Sequence, residues 1–106
     1  IEKANDFMKM AINIIETHHE RYDGKGYPNK LMGEAIPIEG RMMALVDVYD
    51  ALISKRVYKE AFTHEKAMSI IIEERGKHFD PQMVDAFIEI QTDIIAISNK
   101  YNANLG

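Results

Sequence analysis

Two adjacent histidines, His18 and His19, end a helical pattern and directly precede a glycine-rich loop, so that residues 18–28 read HHERYDGKGYP. Imidazole nitrogens are common ligands of transition metals. Adjacent helical residues point about 100° apart, so the pair suits two neighbouring ions, or one ion and a second contact. An isolated pair is more often a helix end, with one ring near the dipole and one in solvent. The loop that follows favours metal binding.

Asp47 is the second candidate ligand. It lies within the apolar stretch 44–49, which is typical of a buried helix. An ionised carboxylate is costly to bury unless it is paired or bound to a metal. Asp47 is therefore expected either to form a salt bridge with an internal Arg or Lys, or to bind a metal. Two imidazoles and one carboxylate form a donor set that suits Fe, Mn or Zn.

The loop and two later cations could bind a phosphate-containing ligand. Gly26 permits close approach of the backbone, and Tyr27 could stack on a base or a ribose. The same residues also form a tight turn, for which a purely structural role is possible. Arg56 and Lys59 follow the buried helix. They could clamp phosphate oxygens, or they could be ordinary surface cations.

The remaining two histidines carry weaker signals. His64 stands beside a predicted helix start, where a solvated side chain is expected. His78 lies in the segment 76–81, and we expect it to support an ordered turn rather than to bind metal.

Helical spacing of apolar residues, with no alternating strand pattern, predicts an all-α fold of about four helices. The predicted elements are a first helix that ends before Asp23, a second over about 38–54, a third over about 64–75 after the cap Thr63, and a fourth after Asp80. The second helix is apolar on nearly every side and is expected to be central and buried. The joining loop, residues 21–37, exceeds usual connection lengths, as functional loops often do. Residues 99–106 lose the pattern and are expected to fray.

Length and composition restrict the function classes. The chain has 106 residues, which suits one domain, and its net charge of −4 argues against general nucleic-acid binding. Residues 21–59 hold seven Lys/Arg against five acids, a balance of +2, and the rest hold six against twelve, a balance of −6. No run approaches the length of a membrane span. The absence of cysteine fits a reducing compartment, and a cytoplasmic location is expected.

Taken together, these residues resemble the HD-GYP family of cyclic di-GMP phosphodiesterases, a branch of the HD phosphohydrolases. The resemblance extends from about residue 8 to residue 91. Its order and spacing are far more specific than a histidine pair alone. Four segments carry it, namely residues 18–28, residues 33–37, residues 41–56 and residues 76–81.

The resemblance implies a helical domain that holds two or three metal ions, iron or manganese, and hydrolyses cyclic di-GMP through metal-activated attack on phosphorus. The residues that match family metal ligands are His18, His19 and Asp47. The residues that match the substrate-binding part are Gly26, Tyr27 and Pro28 of the loop that names the family, with Arg56 and Lys59 as cations at the phosphates and the guanine.

One departure from the family pattern matters. The family has an earlier His-Asp doublet and further ligands, and none of these occurs in the 17 residues before His18. The chain also begins with Ile1. We therefore expect residues 1–98 to be the C-terminal part of an HD-GYP domain, inactive alone and prone to self-association through apolar faces that have lost their partners. The alternative is a non-catalytic module whose Gly-Tyr-Pro loop docks a diguanylate cyclase (GGDEF) domain.

Overall fold

The computed structural model describes residues 2–55, 57 and 59–105, with the backbone alone at residues 2, 98 and 102–105. Over this part the chain is all-α, as the sequence predicts. The elements are α1 (Glu2–Thr17), a short 3-10 helix (Gly33–Ala35), α2 (Ile38–Ile53), α3 (His64–Glu73), α4 (Pro81–Glu89) and α5 (Gln91–Leu105). None of the helices described is long and apolar enough to cross a membrane.

The described residues form five α-helices where about four were predicted, because the last pattern divides into α4 and α5. Ile90 ends α4 with φ −98° and ψ 9°, and its amide donates to the carbonyl of Ala86 at 3.2 Å. No Gly or Pro marks this break, and the apolar spacing continues across it to Ile94, which packs against the core. The helix also continues through Leu105, beyond residue 98 where the apolar pattern ends.

The core lies where α2, α3 and α4 meet. α2 is central because it packs against α1, α3 and α4. It is not buried all round, however, since Met42 is 50% exposed and Val46 is 44% exposed. Apolar residues around a helix show which faces could be buried, and only a neighbouring element decides which face is. The buried core side chains are Leu45, Tyr49, Ala67, Met68, Ile71, Phe79, Val84 and Phe87.

A glycine brings α1 against α2. A Cβ atom added to Gly40 would lie 2.9 Å from Cβ of Thr17 and closer still to its hydroxyl oxygen. That hydroxyl donates to the carbonyl of Asn13 in α1. The close approach places the C-terminal end of α1, and therefore the residues that follow it, beside the first half of α2.

The predicted helix boundaries of α3 and α4 are confirmed in their capping contacts. The Thr63 hydroxyl accepts from the amide of Lys66 at 3.1 Å. The Asp80 carboxylate accepts from the amide of Gln82 at 2.8 Å, and Pro81 occupies the first turn. Gly76, shortly after α3, has φ +79°, a conformation that favours glycine.

A buried ion pair joins the start of α2 to the start of α4. The Arg41 Nη1 donates to the Asp80 carboxylate at 2.7 Å, and the two side chains are 13% and 4% exposed. The Arg41 Nε donates to the carbonyl of Ile36 at 2.9 Å. One guanidinium therefore fixes the end of the long loop, the start of α2 and the cap of α4.

Loss of Arg41 should destabilise the fold strongly. Arg41→Leu leaves the buried Asp80 carboxylate without its cation, which typically costs about 3–5 kcal/mol. Arg75→Leu is the matched control, because Arg75 makes a bidentate pair with Asp85 that is exposed on both sides. Urea titration should show a large fall in the free energy of unfolding for Arg41→Leu and little change for Arg75→Leu. Equal effects of the two substitutions would contradict this assignment.

Candidate functional site

A cavity of about 340 Å³ lies between the end of α1, the loop after it, one face of α2 and the turn before α4. It contains all three predicted metal ligands and two predicted loop residues. The residues that line it are His18, His19, Arg21, Lys25, Gly26, Tyr27, Ala44, Asp47, Val48, Ala51 and His78. Residues far apart in the sequence thus share one concave surface, as small-molecule sites require.

His18 is held in one orientation by the end of α1. Helix α1 ends at Thr17, and the two histidines form the turn that directly follows it. The Nδ1 atom of His18 lies 2.8 Å from the carbonyl oxygen of Ile14, which also accepts from the His18 amide at 3.0 Å. Nδ1–H therefore donates, and Nε2 carries a lone pair that is available to a metal ion.

His19 lies between two other rings. Its centroid is 4.0 Å from that of His18, at an interplanar angle of 40°. The Tyr27 ring stacks on it at 4.9 Å and 20°. Tyr27, which is 61% exposed, therefore contacts a predicted metal ligand.

A buried carboxylate that the sequence analysis did not single out holds this loop in place. Glu20 is 1% exposed. Its two oxygens accept from the amides of Asn29 at 2.8 Å and of Leu31 at 2.9 Å. Its position between the histidines and the glycine-rich loop was the only sequence signal for this role.

Asp47 lies in the cavity, but the reason given for it from the sequence is wrong. The side chain is exposed, on the face of α2 that also carries Ala44 and Val48. Among the described residues no cation lies within 4.0 Å of it, so the structure gives no support to an internal salt bridge. A carboxylate that faces a cavity with two imidazoles is compatible with metal binding.

The histidines and Asp47 do not complete a metal site by themselves. Within the part of the chain that the structure describes, no group of three or more His, Asp or Glu side chains is arranged to hold an ion.

Three further residues are predicted to contact substrate, and none of them is seen to line the cavity. Arg56 lies outside the described residues. The Lys59 ammonium donates to the carbonyls of Ala51 and Leu52 at 3.4 and 3.2 Å, and so caps the end of α2. It also lies 4.3 Å from the Phe62 ring centroid. Pro28 is exposed and lies beside the cavity rather than in its wall.

His64 is not solvated as expected. Its Nδ1 lies 2.9 Å from the hydroxyl of Tyr49, and its Nε2 lies 3.1 Å from the side-chain oxygen of Gln91. Burial, helped by the charge of Glu65, raises the pKa of the Tyr49 hydroxyl. His64 thus joins α2, α3 and α5 through polar contacts that no local sequence signal shows.

His78 belongs to a turn, as expected, and also forms part of the cavity wall. Its ring stacks on Phe79 at 4.3 Å and 12°. Burial, and to a lesser extent the charge of Arg21, lowers the pKa of the His78 imidazole, while Glu74 and Asp23 oppose the shift. The ring is therefore neutral near pH 7.

The lowered pKa of His78 predicts that the free energy of unfolding depends on pH. The unfolded chain binds a proton at His78 near pH 6.5, whereas the folded chain binds it only at lower pH. The stabilisation is therefore fully present above about pH 6.5 and is lost as pH falls through the folded pKa. Urea midpoints measured between about pH 7.5 and about pH 5 should fall more steeply for the wild type than for His78→Gln. Parallel pH profiles would refute the assignment.

The comparisons with known proteins agree on one family. The model of the HD domain family matches residues 1–83. A cyclic di-GMP phosphodiesterase of Vibrio cholerae is 56% identical over 95 residues, which cover 90% of this chain and 19% of the relative. The cyclic di-GMP phosphodiesterase response regulator RpfG of Xanthomonas campestris is 45% identical over 98 residues, 92% of this chain and 26% of the relative. The chain thus spans about a fifth to a quarter of these relatives.

A solved structure supports the same assignment. The crystal structure of a cyclic GMP-AMP specific phosphodiesterase of Vibrio cholerae superposes with a TM-score of 0.66 at 26% identity, and the match covers 78% of this chain and 19% of that one. The family match includes the histidine pair, the glycine-rich loop and Asp47. The chain therefore belongs to the HD domain family, and within it to the HD-GYP type.

Proposed function

We propose that this chain is part of a metal-dependent phosphodiesterase that hydrolyses cyclic di-GMP. The observation that carries the proposal is the shared cavity, which brings His18, His19 and Asp47 together with the loop residues Gly26 and Tyr27. Relatives that match 90% and 92% of this chain include proteins named as cyclic di-GMP phosphodiesterases. The cysteine-free composition is consistent with a cytoplasmic enzyme.

The donor atoms in the cavity fit a metal ion. His18 directs a free Nε2 outward because its Nδ1 is bonded to Ile14. The His19 ring makes no hydrogen bond to a described residue, and Asp47 has no cation within 4.0 Å among them. Two imidazoles and a carboxylate suit iron or manganese. When bound, two or three such ions would activate water and polarise the phosphodiester. We propose that their remaining ligands come from outside this sequence.

The rest of the cavity suits a nucleotide phosphate. Its volume of about 340 Å³ lies at the lower end of the range for small-molecule sites, enough for the reacting phosphodiester and an adjoining nucleoside. The Lys59 ammonium lies at its edge, since Ala51, whose carbonyl it contacts, also lines the cavity. Arg56 and Lys59 are proposed to contact the phosphates and the guanine, and Tyr27 and Pro28 to border the substrate.

A second candidate function is a docking module for a GGDEF domain. Its support is the outer surface of the loop, where Tyr27 is 61% exposed and Pro28 is also exposed. Binding to such a partner needs this surface and not the metal ligands. Loss of Asp47 therefore separates the two functions, because it would abolish hydrolysis and leave docking unchanged.

Asp47→Ala in the full-length protein should lower both metal content and activity. Changes to residues around a ligand typically cost 10–100-fold in metal affinity or activity, and loss of a ligand should cost at least about 100-fold. Hydrolysis of cyclic di-GMP by the Mn²⁺- or Fe²⁺-loaded protein can be followed by mass spectrometry, with 3′3′-cGAMP as a second substrate. Preference for 3′3′-cGAMP would correct the substrate and leave the reaction class standing.

The matched control is Asp50→Ala. Asp50 lies one turn later on α2 and lines a different cavity, with Ile53 and Tyr101. It should keep normal metal content and activity. The proposal fails if the loaded wild type does not hydrolyse either dinucleotide, or if Asp47→Ala and Asp50→Ala behave alike.

The 106-residue segment alone should be inactive and should self-associate. Its ligands are incomplete within the described residues, and α1 exposes a row of large apolar side chains: Phe7 is 70%, Met8 55% and Ile15 70% exposed. Size-exclusion chromatography with light scattering and a turnover assay on the metal-loaded segment test this. A monomer at all concentrations, or ordinary enzymatic turnover, would contradict it.

A further inference from the structure

Three aromatic rings lie in contact in the cavity wall, and two of them, His19 and Tyr27, are stacked. The rings of His18 and His19 are 4.0 Å apart, and the Tyr27 ring follows at 4.9 Å from His19. The His19 ring therefore has an aromatic neighbour on two sides. We call this group, His18, His19 and Tyr27, the ring stack.

The two histidines are oriented by different contacts. A metal-bound histidine usually donates its other ring N–H to a carbonyl or a carboxylate, which fixes the ring. His18 follows this rule through Ile14 at 2.8 Å. The His19 ring makes no hydrogen bond to any described residue, and its side chain is exposed. Stacking is thus the contact that restricts its rotation.

Tyr27 is itself held firmly by the backbone of the loop. Its amide donates to the carbonyl of His19 at 3.3 Å. A Cβ atom on the preceding Gly26 would lie 2.6 Å from that same carbonyl oxygen, so the backbone at Gly26 packs directly against the backbone at His19. Glu20 fixes the return of the loop through the amides of Asn29 and Leu31. These main-chain contacts place the backbone of Tyr27 beside His19, where its ring packs on the imidazole.

We propose that Tyr27 is a positioning residue for His19: its ring, stacked on the imidazole, holds His19 in the orientation that binds metal. This role rests on the proposed function, and it differs from a direct contact with substrate. In this role Tyr27 affects metal binding, before any substrate is bound. The hydroxyl of Tyr27 plays no part in it, because the contact is between ring faces.

The test compares two substitutions in the full-length protein. Tyr27→Phe keeps the ring and Tyr27→Leu removes it. Affinity for Mn²⁺, measured without substrate by competition with a chelator and metal analysis, should stay near the wild-type value for Tyr27→Phe. It should fall about 10–100-fold for Tyr27→Leu, the size of effect typical of residues that orient a ligand.

A second readout reports the stack directly. In the metal-free protein, the Tyr27 ring current should displace the NMR resonance of the His19 ring proton Hε1. The displacement should persist in Tyr27→Phe and disappear in Tyr27→Leu. Because Tyr27 is 61% exposed, its loss should leave the fold intact. Tyr27→Met provides another ring-free variant should Tyr27→Leu fail to fold.

The possible results separate this role from the proposed function. Unchanged Mn²⁺ affinity in Tyr27→Leu, with a higher KM, would show that Tyr27 contacts substrate only and would overturn the positioning role. An equal loss of affinity in Tyr27→Phe would assign the effect to the hydroxyl and also overturn it. A wild type that binds no Mn²⁺ or Fe²⁺ would defeat both the proposed function and this inference.

Discussion

The buried ion pair between Arg41 and Asp80 is the interaction on which the other contacts depend. Asp80 closes the turn after Gly76, and the carbonyls of that turn at Lys77 and His78 accept from the amides of Asp23 and Tyr22 at 2.8 and 3.0 Å. The ion pair therefore acts beyond the helices that it joins and sets the position of the glycine-rich loop. A buried pair of this kind need not be more stabilising than apolar packing. Its geometry nevertheless fixes which segments meet.

The cavity has two sides that are positioned by different physical means. On one side, His18, His19 and Tyr27 are close in sequence, and short-range contacts arrange them: a helix-end carbonyl, a close backbone approach and the Glu20 carboxylate. On the other side, Asp47 and the turn at His78 arrive through the packing of α2 and α4. Contacts within the first side fix its internal arrangement, whereas the packing of the core places the second side, whose turn holds the loop through the amides of Tyr22 and Asp23. A defect in the core should therefore disturb the site through Asp47 and His78 first.

The ring stack bears on the proposed metal chemistry because it orders one of the proposed ligands. If metal ligands are not held in place before the ion arrives, the free-energy cost of ordering them weakens the affinity for the metal. His18 meets this need with a hydrogen bond, and His19 meets it by stacking. The three side chains proposed as ligands lie within the residues that match the HD domain family. The local geometry accounts for how this chain holds them.

Local sequence signals determined the all-α class, the caps at Thr63 and Asp80 and the turn at Gly76. They also indicated that the glycine-rich loop before Tyr27 belongs to the candidate site. Each depends on residues only a few positions apart. Tertiary structure decided the rest: the exposure of Asp47, the place of His78 in the cavity wall, the use of Lys59 as a helix cap and the break at Ile90. An apolar pattern shows which side chains are able to be buried. Only the elements packed against them from elsewhere in the chain decide which side chains are.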